Sequence, residues 1–234
     1  MADHLTPADS HDHLPRYLLP DLVRTTAIGL MLIFHTCFDL KNFQVWDLSK
    51  ASPFWWHYLP NIIVSLFFLA VGLSLVLAHP QTVQWKKFWL RSAKIALGAA
   101  AISLVTYCYF PQSWIYFGTL HCIVFIGLVA LPLRHYPKLC LGLAVLILGA
   151  DLGFNVPWPW FSLDHDSLDY IPPLPWISAT LLGIWIAQQG WHRWPGSSIP
   201  RPLKKIIHAT GRHSLLIYLL HQPVIFGICY LLFR

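Results

Sequence analysis

Seven runs of almost uncharged residues, at about 22–40, 61–79, 93–110, 115–133, 139–155, 171–189 and 213–233, constrain this chain more than any other feature. Each is close to the roughly 20 apolar residues that an α-helix needs to cross a hydrocarbon core. A water-facing surface is excluded by charge, because only 11% of the residues are Asp, Glu, Lys or Arg while 56% are hydrophobic. At membrane depth the backbone must satisfy its own hydrogen bonds, so the predicted fold is all-α: a polytopic membrane helix bundle of about seven transmembrane helices. Asp21, Arg24, Lys94, Asp151 and the Gln188–Gln189 pair shorten some of the uncharged cores, but side chains near run ends can snorkel and the count of seven stands. Many of the 12 Trp and 9 Tyr lie near the run ends, where aromatic rings anchor helices at headgroup level.

Basic residues flanking short loops are retained on the cytoplasmic side, which sets an orientation. With a cytoplasmic N-terminus, Arg16, Arg24, Lys86, Lys87, Arg91, Lys94, Arg134, Lys138, Arg193, Arg201, Lys204, Lys205 and Arg212 fall inside, and only Lys41, Lys50 and Arg234 fall outside. The net charge of +6 therefore reads as membrane topology, and no nucleic-acid partner is expected. Cys37, Cys108, Cys122, Cys140 and Cys229 form no CxxC pair and read as small buried hydrophobes. Residues 1–16 lack the basic start of a cleavable signal and are expected to be a disordered polar tail, with 17–234 a single membrane domain. The His-Asp-His at 11–13 reads as part of that solvated tail rather than as a metal site. In the 190–212 segment, Pro, Gly and Ser breaks surround a short amphipathic piece suited to the inner leaflet.

The polar exceptions inside the apolar runs carry the chemistry. "MLIFHTCFDL", residues 31–40, places His35 and Asp39 one helical turn apart on one face. His121 lies about a third of the way down the fourth helix, and His221 and Gln222 lie near the middle of the last. Pro223 lacks an amide hydrogen and frees the carbonyl of Leu219 beside them. "SLDYIPPLPW" brings Asp169, Tyr170 and Trp176 to the outer entrance of the sixth helix. A lone intramembrane histidine usually satisfies a neighbouring helix, but three at one depth together with Asp39 predict a polar pocket open to the outside. Asp21 and Arg24, three apart, are expected to pair or to meet headgroups, and the basic residues of 201–212 are most simply positive-inside residues. A carboxylate that orients an imidazole makes a general base; the same atoms could bind a metal or relay protons, and spacing does not separate these three. A proton- or ion-coupled carrier and a non-catalytic membrane scaffold are the alternatives to an enzyme.

Four segments taken in order, "DLVRTTAIGLMLIFHTCFDL", "WIYFGTLHCIVFIGL", "DYIPPLPWISATLLGIWIA" and "GRHSLLIYLLHQPVI", resemble the heparan-alpha-glucosaminide N-acetyltransferase catalytic-domain family, from about residue 16 to the C-terminus. The resemblance implies a multi-pass acyltransferase of a plasma (inner) membrane. It would pass an acyl group, typically acetyl from cytosolic acetyl-CoA, to a saccharide amine or hydroxyl at the outer face. On that reading His35 is the general base, oriented by Asp39, and His121, His221, Gln222, Asp169, Tyr170 and Trp176 bind the reactants. Arg201, Lys204, Lys205 and Arg212 lie near CoA, and no metal is expected. The lysosomal relative uses a histidine of its first lumenal loop, which leaves His57 as the alternative to His35. Many relatives have Gly after the first-helix Arg, where this chain has Thr25. The expected partners are acyl-CoA, a saccharide or glycan acceptor and membrane lipids, with a homo-oligomer admitted.

Overall fold

The computed structural model describes residues 17–47, 56–194 and 196–233. The tail 1–16 with its His-Asp-His, and the outer cations Lys50 and Arg234, lie outside the described residues. Among the described residues eight α-helices of three turns or more follow one another: α1 Leu18–Asn42, α2 Leu59–Ala78, α3 Trp85–Tyr109, α4 Thr119–Ala130, α5 Pro137–Phe154, α6 Pro173–Gln188, α7 Arg201–Arg212 and α8 Ser214–Phe233. Among the described residues there is no strand. Prolines stand in the first turns of α2, α5 and α6, where a missing amide costs nothing. Asn155 (φ 47°) closes α5 and Gly190 (φ 82°) follows α6, both in the left-handed conformation that stops a helix.

The seven predicted helices are all present, each within several residues of its run, and the amphipathic piece of 190–212 is α7. Five of them, α1, α2, α3, α5 and α8, are long and apolar enough to cross a membrane by length and composition. The other two are shorter. α4 continues through a 3-10 turn, Leu131–His135, and α6 has 16 residues and no charge. α3, α5 and α8 turn Leu97, Leu104, Leu146, Leu152 and Leu231 outward, a surface suited to lipid chains rather than to water.

The core sits where α2, α4, α5 and α6 meet, around Phe68, Leu73, Ile126, Leu181 and Ile184. A second cluster joins α1, α2 and α8 through Ala27, Ile28, Met31, Ile63 and Phe67. Between α2 and α6 the backbones touch. A Cβ on Gly72 would collide with the Thr180 carbonyl, and one on Gly183 with the Leu69 carbonyl. Thr180 Oγ1 donates to the Phe68 carbonyl at 3.0 Å across the same contact. Small residues and interhelical hydrogen bonds are how helices associate where lipid removes the hydrophobic drive.

Polar clips gather the helix ends that hold most of the basic residues. Asp21, 3% exposed, pairs with Arg24 at 3.4 Å and with His208 of α7 at 2.8 Å. Arg24 donates to Ser74 near the end of α2, and Thr25 Oγ1 donates to the Ile207 carbonyl at 3.2 Å. The ion pair expected of Asp21 and Arg24 is formed. Thr25 thus holds α7 against α1. Arg134 is buried, its guanidinium donating to the carbonyls of His79, Leu131 and Gln81 at 3.2, 3.2 and 3.4 Å. Gln188 Nε2 donates to the Arg134 carbonyl at 2.6 Å, so α2, α4 and α6 are bracketed together.

At the opposite end the 155–172 segment folds back onto the start of α4. Asp169 accepts from the Thr119 amide at 2.8 Å and from its hydroxyl at 3.3 Å, satisfying an otherwise unpaired helix N-terminus. Leu168 and Ile171 add backbone bonds to Ser113 and Phe117 at 3.0 and 3.1 Å. Gly118 is required here, because a Cβ would strike the Asp169 carboxylate. Burial raises the Asp169 carboxyl above the ordinary carboxylate range, with the Thr119 hydrogen bonds opposing the rise.

Two outcomes follow from this packing. Gly183→Val should lower the thermal midpoint sharply or prevent folding, since overpacking at backbone contact costs about 1–3 kcal/mol or more. Gly149→Val on α5, where a Cβ meets nothing within 4 Å, should leave the midpoint nearly unchanged. A raised folded-state pKa means the folded chain holds the Asp169 proton more tightly. Its contribution is therefore fully present below the ordinary carboxylate value of about 4 and is lost as pH rises through the higher folded value. Asp169→Asn keeps an acceptor for the Thr119 amide and cannot ionise, so thermal scans at stepped pH should show a smaller loss across that window. Identical slopes for both proteins would refute the assignment.

Candidate functional site

α1 and α8 converge at one buried polar cluster. Asp39, 1% exposed, accepts two contacts from Gln222 Nε2, at 3.1 and 3.3 Å, across 183 residues of sequence. The rings of His35 and His221 pack edge-on with centroids 4.7 Å apart. Three atoms of this group are buried without a hydrogen-bond partner: His35 Nδ1, His221 Nε2 and Gln222 Oε1. Buried polar atoms are ordinarily paired, so three unpartnered ones in one cluster set it apart from the rest of the bundle.

The tautomer of His221 follows from its neighbour. Its Nδ1 lies 2.6 Å from the Tyr218 carbonyl, which can only accept. Nδ1 therefore carries the proton, and Nε2 presents a bare lone pair. Gln222 is oriented in the same way. Its amide nitrogen is spent on Asp39, which leaves Oε1 as an acceptor facing the cluster.

The expected pairing of Asp39 with His35 is not the one observed. One helical turn puts the two on the same face, but the carboxylate reaches across to α8 and His35 turns its ring to His221. Aromatic walls surround the pair. Trp56 packs against Phe34 and Phe38 at 5.5 and 5.9 Å, with Lys41 above its ring at 4.7 Å. Tyr218 packs against Phe67 and His221 and comes up to the Thr119 side chain.

The remaining predicted residues divide between the cluster's surroundings and places apart from it. His57 is exposed two residues before α2, and among the described residues its ring meets only Tyr58. His121 caps α4: its Nδ1 accepts from the Gly118 amide at 3.2 Å, and its Nε2 donates to Ser103 Oγ at 3.2 Å. Ser103 in turn donates to the Ile115 carbonyl at 2.7 Å, so both nitrogens of His121 are engaged within the fold. Asp169 is occupied by Thr119. Tyr170 donates to the Phe161 carbonyl at 2.8 Å and stacks near Tyr116. Trp176 is packed against the core of α6 and its neighbours.

Arg201, Lys205 and Arg212 are exposed on α7, and Lys204 is half-buried beside a cleft that includes Tyr17, His192, Arg193 and His208. Along α1, Asp21 and His35 are 14 residues apart, about 21 Å, so the α7 cations and the histidine pair occupy different levels of the bundle. Among the described residues no group of three or more His, Cys, Asp or Glu side chains is placed to hold a metal ion. Cys122, Cys140 and Cys229 are buried, Cys37 is half-buried and Cys108 is exposed.

Sequence reasoning had found the members of the central cluster but missed Trp56 and Tyr218 beside it. Their signal was weak, an aromatic at a helix start and another one turn before His221. No curated protein and no solved structure matched the chain. A family model, "Heparan-alpha-glucosaminide N-acetyltransferase, catalytic", matches residues 16–223, a span that takes in α1 through the His221–Gln222 turn of α8. On that match the chain belongs to the heparan-alpha-glucosaminide N-acetyltransferase catalytic family, whose name describes an N-acetyltransferase.

Proposed function

We propose that this protein is a multi-pass membrane acyltransferase that takes an acyl group, typically acetyl, from acyl-CoA and gives it to an amine or hydroxyl of a saccharide. The observation that carries the reading is His221, whose backbone contact fixes the proton on Nδ1 and leaves a buried, unpartnered Nε2. A lone pair held in that way is a general base poised for a guest's N–H or O–H. Gln222 Oε1 orients the same guest, and His35 closes the other side of the site. The acceptor heteroatom attacks the thioester carbonyl while its proton passes to His221 Nε2. The carbon–sulfur bond then breaks, and the thiolate of CoA leaves with that proton.

The basic end of the bundle faces the cytoplasm of a plasma membrane in this reading, by the positive-inside argument. α7 offers Arg201, Lys205 and Arg212 to the donor's phosphates, as exposed cations suited to that chemistry. The separation of about 21 Å between that level and His35 suits a donor with a long flexible arm.

Transfer of labelled acetyl from acetyl-CoA to glucosamine in proteoliposomes tests the assignment. His221→Ala should reduce the rate by roughly 10²–10⁴-fold while the thermal midpoint stays within a few degrees. His35→Ala should also reduce it. Survival of transfer in both variants, with loss in His57→Ala, would place the base in the first outer loop and refute this site. Substrate flux through the liposomes without any CoA would favour a carrier.

A further inference from the structure

α3 opens with the basic turns of "WKKFWLRSAKI", and Lys87, Arg91 and Ile95 follow one another at four-residue spacing along one stripe. The helix packs on α4 and, through Gly98 and Leu219, on α8, and its first turn meets the end of α2 through Phe88, which is buried and packs on the His79 ring at 5.9 Å. Beside Phe88 a cavity of about 120 Å³ opens among the end of α2, the first turns of α3 and α4. Leu75, Ile95, Ile123 and Val124 form its apolar floor, with His79, Lys87 and Arg91 as its polar rim.

The rim is all donor. Among the described residues no carboxylate pairs with Lys87 or Arg91, and Arg24 adds its positive field to that of Arg91. The Gln84 amide donates to His79 Nδ1 at 3.2 Å, so the neutral ring carries its proton on Nε2. Burial, then Arg134, Arg91 and Lys87, hold the His79 pKa below its ordinary value and keep that ring neutral. Two cations and an N–H donor over a hydrocarbon floor are complementary to an anion that has an apolar extension. Trp85, Trp89, Leu90 and Leu97 are exposed on the same helix, which places the cleft at the lipid-facing perimeter and at headgroup level.

We infer that this cleft holds the phosphate of an anionic phospholipid, the headgroup on Lys87 and Arg91 and one acyl chain lying along Ile95 and Ile123. The site is separate from the His35–His221 pair, and the inference does not rest on the transfer reaction.

The test uses the full chain in nanodiscs of phosphatidylcholine, with and without phosphatidylglycerol, and native mass spectrometry for retained lipid. Wild type should retain phosphatidylglycerol and gain roughly 3–6 °C in midpoint, as expected for a ligand about tenfold above its Kd in a chain of this length. K87Q/R91Q should lose both effects, and Lys138→Gln, at the same end but outside the cleft, should keep them. Should the double variant fail to fold, Lys87→Gln alone carries the test, because Lys87 is exposed. Equal stabilisation of all variants by phosphatidylglycerol would reduce the effect to general headgroup attraction and overturn the site. Stabilisation by free CoA instead, dependent on Lys87 and Arg91, would also overturn it and give the cleft to the donor.

Discussion

The contact of α2 with α6 at backbone distance is the constraint on which the rest of the bundle depends. In hydrocarbon, apolar side chains gain little by leaving lipid for one another, so association rests on close packing and on hydrogen bonds between helices. Gly72 and Gly183 remove the Cβ atoms that would hold the two helices apart, and Thr180 then reaches the Phe68 carbonyl. α6 is surrounded by α2, α4 and α5, and the Pro-rich approach and the Gly190 turn bound it at its two ends. α1 lies on another face of α2, and α8 rests on α1, so the histidine pair inherits its geometry from a crossing it does not touch.

The two ends of the bundle handle charge differently, and that difference separates structural from available cations. Arg24 and Arg134 are drawn into brackets with Asp21, Ser74 and backbone carbonyls, where a buried guanidinium needs every donor placed. The exposed cations of α3 and α7 have no such duty among the bonds described, and they lie on the perimeter of the same end. At the other end Lys41 lies over the Trp56 ring, and the 155–172 segment is held by aromatic contacts and the Asp169 cap rather than by cations.

Much of this was legible in the chain. Apolar runs fix helices with little ambiguity when no water is present to offer the backbone an alternative, and all seven predicted helices formed. His35, Asp39, His221 and Gln222 stood out as polar residues in apolar surroundings and do converge. Their partners were not legible, because a contact spanning 183 residues leaves no trace in local spacing. The same gap hid His121's role. A histidine three residues after Gly118 looks like a pocket residue until the helix start is known to fall at Thr119, which makes it a cap. The sequence places Trp176 and Tyr170 at an outer entrance, and the structure packs Trp176 against the core and bonds Tyr170 to the Phe161 carbonyl, contacts that local spacing does not show.

The placing of Asp39 on Gln222 instead of on His35 changes the chemistry available. A carboxylate against an imidazole stabilises the charged ring and draws a proton toward it even when no guest is bound. A backbone carbonyl against Nδ1 fixes the tautomer with a dipole alone, so the ring is aimed without being charged. The carboxylate meanwhile orients a neutral amide, whose free oxygen can accept from an incoming N–H or O–H. On the proposed acyltransferase reading, this separates the aim of the base from the recognition of the guest: a neutral His221 with its proton on Nδ1 has an unpartnered Nε2, as a general base requires at the start of a turnover.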